Sequence, residues 1–306
     1  MPPGTESDTM DSVRDLRSIR DYIRFGASRF RAAHLCFGHG TDNAFDEAAW
    51  LVLHALSLPL DLPESWWSSR LTAEERIRVE ALLQARVVTR KPAAYLTREA
   101  WFMGLPFYVD ERVLVPRSPI AELIGAGFSP WLDPDGIHRL LDLCTGSGCI
   151  GLAAGTVLPH AEIWLSDLSR DALAVARENT RRLDLEDRTR VVQSDVFASF
   201  EDAPGFDLIV SNPPYVDARD MAVLAPEYRH EPALGLAAGD DGLDVVRRIL
   251  AGARRHLNPG GALIVEVGNS QPAVEAAFPE LPFTWLEFGS GGDGVFLLTR
   301  EQLPDS

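Results

Sequence analysis

Leu140-Leu-Asp-Leu-Cys-Thr-Gly-Ser-Gly-Cys-Ile-Gly151 is an apolar strand that runs directly into a glycine-rich turn opening a helix. Gly146 and Gly148 let the main chain approach a bound group more closely than residues with side chains allow, so a nucleotide-like cofactor is expected on this turn. Taken literally, Gly146-x-Gly148-x-x-Gly151 is the dinucleotide fingerprint. Asp167, at the end of the next strand, stands about twenty residues on, where a ribose-binding acid belongs. From Leu140 onward, short apolar strands alternate with amphipathic helices, the sequence form of a parallel sheet covered on both faces. Strands are expected at Arg139–Cys144, Glu162–Asp167, Arg190–Asp195, Asp207–Asn212, Ala262–Val267, Thr284–Phe288 and Val295–Thr299. A helix is expected from Asp244 to Leu257, with Leu243, Val246, Leu250, Ala253 and Leu257 on one face. The fold class is therefore α/β, Rossmann-like, with seven strands.

A nicotinamide enzyme competes for this pattern until three features are weighed. Asp142 lies inside the first strand, four residues before the first glycine, where a pyrophosphate gives a carboxylate nothing to do but the cationic ammonium of S-adenosylmethionine does. The last two strands are separated only by Gly289-Ser-Gly-Gly-Asp-Gly294, too short for a crossover helix, so they must pair as an antiparallel hairpin. The fourth strand ends in Ser211-Asn212-Pro213-Pro214-Tyr215, at the carboxyl edge where open α/β sheets bind ligands. Taken singly, Asp142 or Asp195 could as well be a cap or turn former. Asp142, Asp167 and Asp195 together end or approach the ends of the first three strands, so all three converge on one edge of the sheet. The cofactor-binding set is Asp142, Thr145, Gly146, Gly148, Asp167, Leu168, Asp195, Val196 and Asn212.

An amide nitrogen is a poor nucleophile because its lone pair is delocalised, so geometry has to supply what basicity does not. Asn212 offers a side-chain carbonyl and Pro213 a backbone carbonyl at a fixed φ, two acceptors for the two N–H bonds of a planar NH₂ group. Holding nucleophile and electrophile about 3–3.5 Å apart and in line lowers the barrier by several kcal/mol. Tyr215 is expected to pack on the planar group. Asn212, Pro213 and Tyr215 are the catalytic candidates, and Asn212, Pro213, Pro214 and Tyr215 the substrate-binding ones.

This set, Asp142-x-x-x-Gly146-x-Gly148 with Asp167, Asp195 and Asn212-Pro-Pro-Tyr215, resembles the class I S-adenosylmethionine-dependent methyltransferases that modify planar nitrogens. With the N-terminal helical region and hairpin, the likeness extends over nearly the whole chain to the protein-glutamine N5-methyltransferases. Val216-Asp-Ala-Arg-Asp-Met221, Glu227-Tyr-Arg-His-Glu-Pro232, Gly235-Leu-Ala-Ala-Gly239 and Phe283-Thr-Trp-Leu-Glu-Phe288 with Gly291-Gly-Asp-Gly-Val-Phe296 resemble the branch acting on ribosomal protein L3. The resemblance implies methyl transfer from S-adenosylmethionine to one glutamine side chain. It also implies cofactor contact at Gly146, Gly148 and Asp167, and substrate contact at Asn212 through Tyr215. Where relatives place an aromatic beside the adenine, this chain has Val196 then Phe197. Release factors are the alternative protein substrate, and an amino group of a nucleic acid a more distant one.

Domains are expected at 1–99 (helical, substrate-docking), 100–120 (a linking β-hairpin) and 121–306. Apolar residues recur at helical spacing at Val13, Leu16, Ile23 and Phe30 and again at Ile77, Ala81, Ala85 and Val88, while Thr72 and Glu75 form a capping-box signature. Trp66 and Trp67 are expected in the helical core. Between Ala100 and Val115, β-formers such as Trp101, Phe102, Phe107 and Tyr108 surround Gly104 and Pro106.

The formal charge of −16, from 29 Lys+Arg against 45 Asp+Glu, disfavours direct nucleic-acid binding and suits a basic protein partner such as L3. Met1 to Asp11 lacks the basic start and apolar stretch of a secretory signal, and no apolar run is long enough to span a membrane. A cytoplasmic protein is expected. Cys36, Cys144 and Cys149 read as buried reduced thiols, Cys144 and Cys149 in packing roles. The seven histidines show no metal-ligand spacing, so no metal is assigned.

Overall fold

The computed structural model describes residues 15–289 and 291–305. Val13, the first position of the expected helical pattern, and the Met1 to Asp11 stretch lie outside them. The chain divides into two compact units, Met1–Arg98 and Glu99–Ser306.

The first unit is helical: α1 (Ile19–Ala32), α2 (Ala44–Ala55), α3 (Ala73–Thr89) and the short α4 (Ala93–Thr97). Each of the first three starts on a side-chain cap that satisfies orphan N–H groups: Ser18 with Asp21, Asn43, and Thr72 with Glu75. Tyr22, Ile23, Phe30, Leu51, Val79 and Leu83 are buried between the helices. Two expectations are corrected here. On α3 the buried face is Val79, Leu83 and Arg86, while Ile77 and Val88 are each 67% exposed and Ala81 is also exposed. The reason is an ion pair: Arg86 Nε meets Glu47 Oε1 at 2.7 Å, both side chains fully buried, so a charged residue holds a position that apolar periodicity awards to its neighbours. Trp66 is 62% exposed. It and Trp67 sit on a single 3₁₀ turn, Glu64–Ser68, where adjacent side chains diverge; only Trp67 packs on a ring, that of Phe45 at 6.1 Å.

The second unit begins with the hairpin of β1 (Glu99–Phe102) and β2 (Leu105–Tyr108), which clusters with this unit, followed by α5 (Ile120–Gly125). Then come β3 (Arg139–Leu143), α6 (Cys149–Val157), β4 (Glu162–Asp167), α7 (Arg170–Arg182), β5 (Thr189–Gln193) and β6 (Phe206–Ser211). The unit ends with α8 (Ala218–Val223), α9 (Asp244–His256), β7 (Leu257–Glu266), α10 (Gln271–Ala277), β8 (Thr284–Leu286) and β9 (Val295–Thr299). The seven strands run in the order β5-β4-β3-β6-β7-β9-β8, parallel except that β9 is antiparallel to both β7 and β8. β3 alternates faces. Leu141 and Leu143 join Val246, Ile249, Leu250 and Ala253 of α9 in the main core, while Asp142 faces α6.

All seven expected strands and the α9 helix are present, with ends shifted by a few residues. Cys144, Asp195 and Asn212 fall just beyond their strands. The three cysteines form no disulfide, but only Cys149 is buried; Cys144 leaves β3 at φ +57° to border a cavity, and Cys36 lies in the loop after α1. Among the described residues no helix is long and apolar enough to cross a membrane.

Replacing Arg86 by Ala strands Glu47 in the helical core. Urea unfolding of the variant is expected to show a loss of about 3–5 kcal/mol, and a loss below about 1 kcal/mol would contradict the role given to the pair.

Candidate active site

Strand register assembles the site before any side chain is considered. Leu143 of β3 pairs with Ser211 of β6, and Ser211 with Val265 of β7. The next residues along the three central strands, Cys144, Asn212 and Glu266, therefore form a row across the carboxyl edge of the sheet.

The turn after β3 holds its shape through Asp142. Its Oδ2 accepts from Thr145 Oγ1 at 2.6 Å and from the Gly151 N–H at 2.9 Å, tying the strand to the first turn of α6. The carboxyl is 1% exposed, burial pushes it up to about 7, and Oδ1 has no protein partner. Asp142 thus faces the turn, and its side chain borders neither of the two cavities described below. Gly146 and Gly148 have φ of +54° and +84°. A Cβ at Gly146 would meet nothing within 4 Å, whereas one at Gly151 would lie 2.5 Å from Leu165 Cδ2 and 2.9 Å from Asp142 Cβ. The first glycine keeps space for a ligand and the third lets helix and sheet touch. Asn179 of α7, fully buried, braces the turn from behind. Its Oδ1 accepts from Tyr108 N at 2.7 Å, and its Nδ2 donates to Tyr108 O at 3.0 Å and Ser147 O at 2.8 Å.

One cavity of about 180 Å³ opens beside the turn, bordered by Gly146, Asp167, Leu168, Asp195, Val196 and Asn212 among others. Asp167 Oδ2 accepts from Gly146 N at 2.9 Å and Oδ1 from Ser169 N at 2.8 Å; burial raises its pKa against these bonds. Both oxygens keep lone pairs for hydroxyl donors. Asp195 sits half-exposed at the rim in an ion pair with Arg248 at 2.8 Å, which holds its carboxyl below the ordinary range. Val196 adopts φ +52°, a costly conformation for a β-branched side chain, and borders the cavity. Phe197 does not. It stacks on His256 at 4.5 Å within the core, so the flat wall here is aliphatic, from Leu168 and Val196.

A second cavity of about 610 Å³ is bordered by Arg117, Ser118, Thr145, Asn212, Pro213, Tyr215 and Glu266, among others. The two cavities share Leu114, Cys144, Gly146, Asn212 and Gly235, so they meet at the glycine turn and the asparagine; Pro214 borders only the first, and Pro213 and Tyr215 only the second.

Glu266, which sequence reasoning passed over, is the hub of this cavity. It is 6% exposed, accepts from Ser118 Oγ at 2.5 Å and Tyr215 Oη at 3.4 Å, and stands in the strand register beside Asn212, whose side-chain amide favours its charged form against burial. Burial raises its carboxyl to about 7. Burial and the nearby Glu266 carboxylate together push the Tyr215 phenol above its ordinary range. The Arg117–Glu231 pair was missed as well: Nη1–Oε1 is 2.6 Å and Nη2–Oε2 2.7 Å, and Glu231 also accepts from Val115 N at 3.1 Å. It fastens the stretch before α5 to the stretch that follows α8. A single acid in the apolar run Leu263-Ile-Val-Glu-Val267 was the available signal for Glu266.

The family model described as Methyltransferase small domain matches residues 130–227. The chain is 52% identical over 294 residues to the ribosomal protein uL3 glutamine methyltransferase of Neisseria meningitidis serogroup B, covering 95% of this chain and 96% of that protein. The protein of the same name from Francisella tularensis subsp. tularensis is 49% identical, with 96% and 93% covered. Among solved structures, the hMettl16 catalytic domain in complex with MAT2A 3'UTR hairpin 6 matches over 74% of this chain and 80% of its own, with a TM-score of 0.51 at 17% identity, a likeness of fold alone.

Gly151→Ala forces a methyl against Leu165 and Asp142. The expected outcome is a loss of about 1–3 kcal/mol in denaturant unfolding, and an unchanged midpoint would refute the packing role of this glycine.

Proposed function

The chain belongs to the family of the ribosomal protein uL3 glutamine methyltransferases, and we propose that it methylates the side-chain nitrogen of one glutamine in ribosomal protein uL3, drawing on S-adenosylmethionine. The observation that carries this reading is the meeting of two cavities at Asn212, one lined by Asp167, Leu168 and Val196 and the other by Pro213, Tyr215 and Glu266.

S-adenosylmethionine supplies a methyl group on a positively charged sulfur. The residues present suit it: Gly146 leaves open space at the turn, Asp167 offers lone pairs to ribose hydroxyls, and Leu168 and Val196 offer an apolar surface to a flat base. Asp195 at the rim completes that end, with Asp142 and Thr145 fixing the turn and Gly148 opening α6. On the other side, Asn212 Oδ1 and Pro213 O accept from the two N–H bonds of the glutamine amide. That engagement turns the lone-pair axis toward the first cavity, and the same oxygens stabilise positive charge growing on nitrogen. Tyr215 packs on the amide plane, and Pro214 keeps the segment stiff. With the cofactor bound, the N–C bond that forms would replace the S–C bond of the sulfonium, and the proton lost from the nitrogen would pass to water in the second cavity, leaving N5-methylglutamine and S-adenosylhomocysteine.

The substrate as uL3 rather than a release factor is supported by the names of relatives near 50% identity and by charge. The whole acidic excess of 16 lies in Glu99–Ser306, Met1–Arg98 being balanced, so a cationic protein is attracted to the unit that holds the site. The same excess argues against a nucleic-acid substrate. The helical unit is assigned the docking of that protein, supported by its exposed Phe45, Leu60 and Trp66. Such a substrate places the chain in the cytoplasm.

Incubation with labelled S-adenosylmethionine is expected to label uL3 at one glutamine. Label on a release factor with none on uL3 would contradict the reading. Asn212→Ala is expected to lower kcat by roughly a hundredfold or more with cofactor affinity nearly intact, as steady-state kinetics and titration would show. Asp167→Ala is expected to weaken cofactor binding first; equal losses of both quantities in each variant would remove the division of labour.

A further inference from the structure

We propose that Glu266 is a positioning residue for the transfer: it fixes which edge of the Asn212 carboxamide faces the substrate. The inference rests on the function proposed above. An asparagine amide presents a donor edge and an acceptor edge of almost the same shape, and only the acceptor edge can hold a substrate N–H. Nothing in the Asn-Pro-Pro-Tyr segment itself chooses between them. An ionised carboxylate has no proton to give, so a side-chain hydrogen bond between Asn212 and Glu266 requires the asparagine to donate with its NH₂. The carbonyl oxygen is then left pointing away from Glu266, available to the substrate.

Glu266 is itself held. Ser118 Oγ donates to Oε2 at 2.5 Å and Tyr215 Oη to Oε1 at 3.4 Å, so the carboxylate also links the stretch before α5 and the substrate-packing tyrosine to the same oxygens. The register places it beside Asn212 across β6 and β7, where Ser211 pairs with Val265. A buried carboxylate is costly, and the Ser118 and Tyr215 donors, with the Asn212 amide beside them, offset that cost in an otherwise apolar strand end.

Protonation removes the constraint. A neutral Glu266 can either donate its hydroxyl to the Asn212 carbonyl or still accept from its NH₂, so the amide edge offered to the substrate is no longer fixed. The titratable groups facing Glu266 are Arg117, Tyr215 and Cys149. Arg117 stays charged and contributes attraction; Tyr215 is pushed above its ordinary range and Cys149 up to about 12, so neither titrates near neutrality. Burial brings Glu266 to about 7, so the working, ionised form predominates above that pH and is lost as pH falls through it.

The test is a double-mutant cycle with a pH profile, using full-length enzyme and purified uL3. Glu266→Gln, which keeps the volume, is expected to lower kcat by roughly ten- to a hundredfold at pH 8 with cofactor affinity within about twofold, and to flatten the fall of kcat below pH 7. In the Asn212→Ala background, Glu266→Gln is expected to add little further loss, because Gln still offers an acceptor to Ser118 and Tyr215 and both substitutions act through one amide. Losses that multiply, or an acid limb that survives in Glu266→Gln, would overturn the inference. If wild-type enzyme leaves uL3 unlabelled, it is the proposed function that fails; a working wild type with independent losses sinks this inference alone.

Discussion

A planar amide reacts at nitrogen only when its plane and both N–H bonds are held, because resonance otherwise denies the lone pair to an electrophile. In the function proposed for this chain, two oxygens on adjacent residues meet that demand, and the register of the surrounding strands keeps them still. β6 lies between β3 and β7 in register, so the glycine turn, Asn212 and Glu266 leave the sheet side by side. Ser211 Oγ donates to Leu143 O at 2.8 Å, locking the strand end that precedes Asn212 to the strand end that precedes the turn. In the proposed function, cofactor and substrate geometry would both be set by this one hydrogen-bonded ladder, which is more exact than two loops could be.

Strain is also present at this edge. Cys144 and Val196 are two of the nine non-glycine residues with positive φ among the described residues, and both border the first cavity. A conformation costing of order 1–3 kcal/mol persists only where surrounding structure enforces it. Here Thr145 N donates to Ser166 O at 2.9 Å on one side, and Ser194 Oγ donates to Val196 O at 2.8 Å on the other. Around the second cavity the long-range Arg117–Glu231 and Ser118–Glu266 contacts do comparable service, tying segments more than a hundred residues apart.

The sheet could be read from the sequence because strands buried on both faces write near-continuous apolar runs, and the glycine turn because its spacing answers a steric demand. Asn212 to Tyr215 stand out in the sequence because two acceptors at a strand end have few structural uses, and the structure brings Asn212 to the border of both cavities. Glu266, Asn179 and Glu231 could not, since their partners lie far away along the chain and a lone polar residue in a strand, helix or loop carries no local period. The same limit explains α3: Ile77 and Val88 satisfy the helical pattern on its solvent side, while Arg86 takes a core position whose meaning depends on Glu47 in another helix. Asp142, read from its spacing as a neighbour of a cationic ligand, also spends one oxygen on Thr145 and Gly151, contacts that only the folded turn reveals.

The central claim concerns where two oxygens point, and a crystal structure of the enzyme with S-adenosylhomocysteine and a glutamine-containing peptide from uL3 addresses it directly. The expected result has the glutamine nitrogen within hydrogen-bond distance of both Asn212 Oδ1 and Pro213 O, with its face directed at the sulfur. A glutamine bound elsewhere, or an Asn212 amide turned so that its nitrogen meets the substrate, would contradict the account.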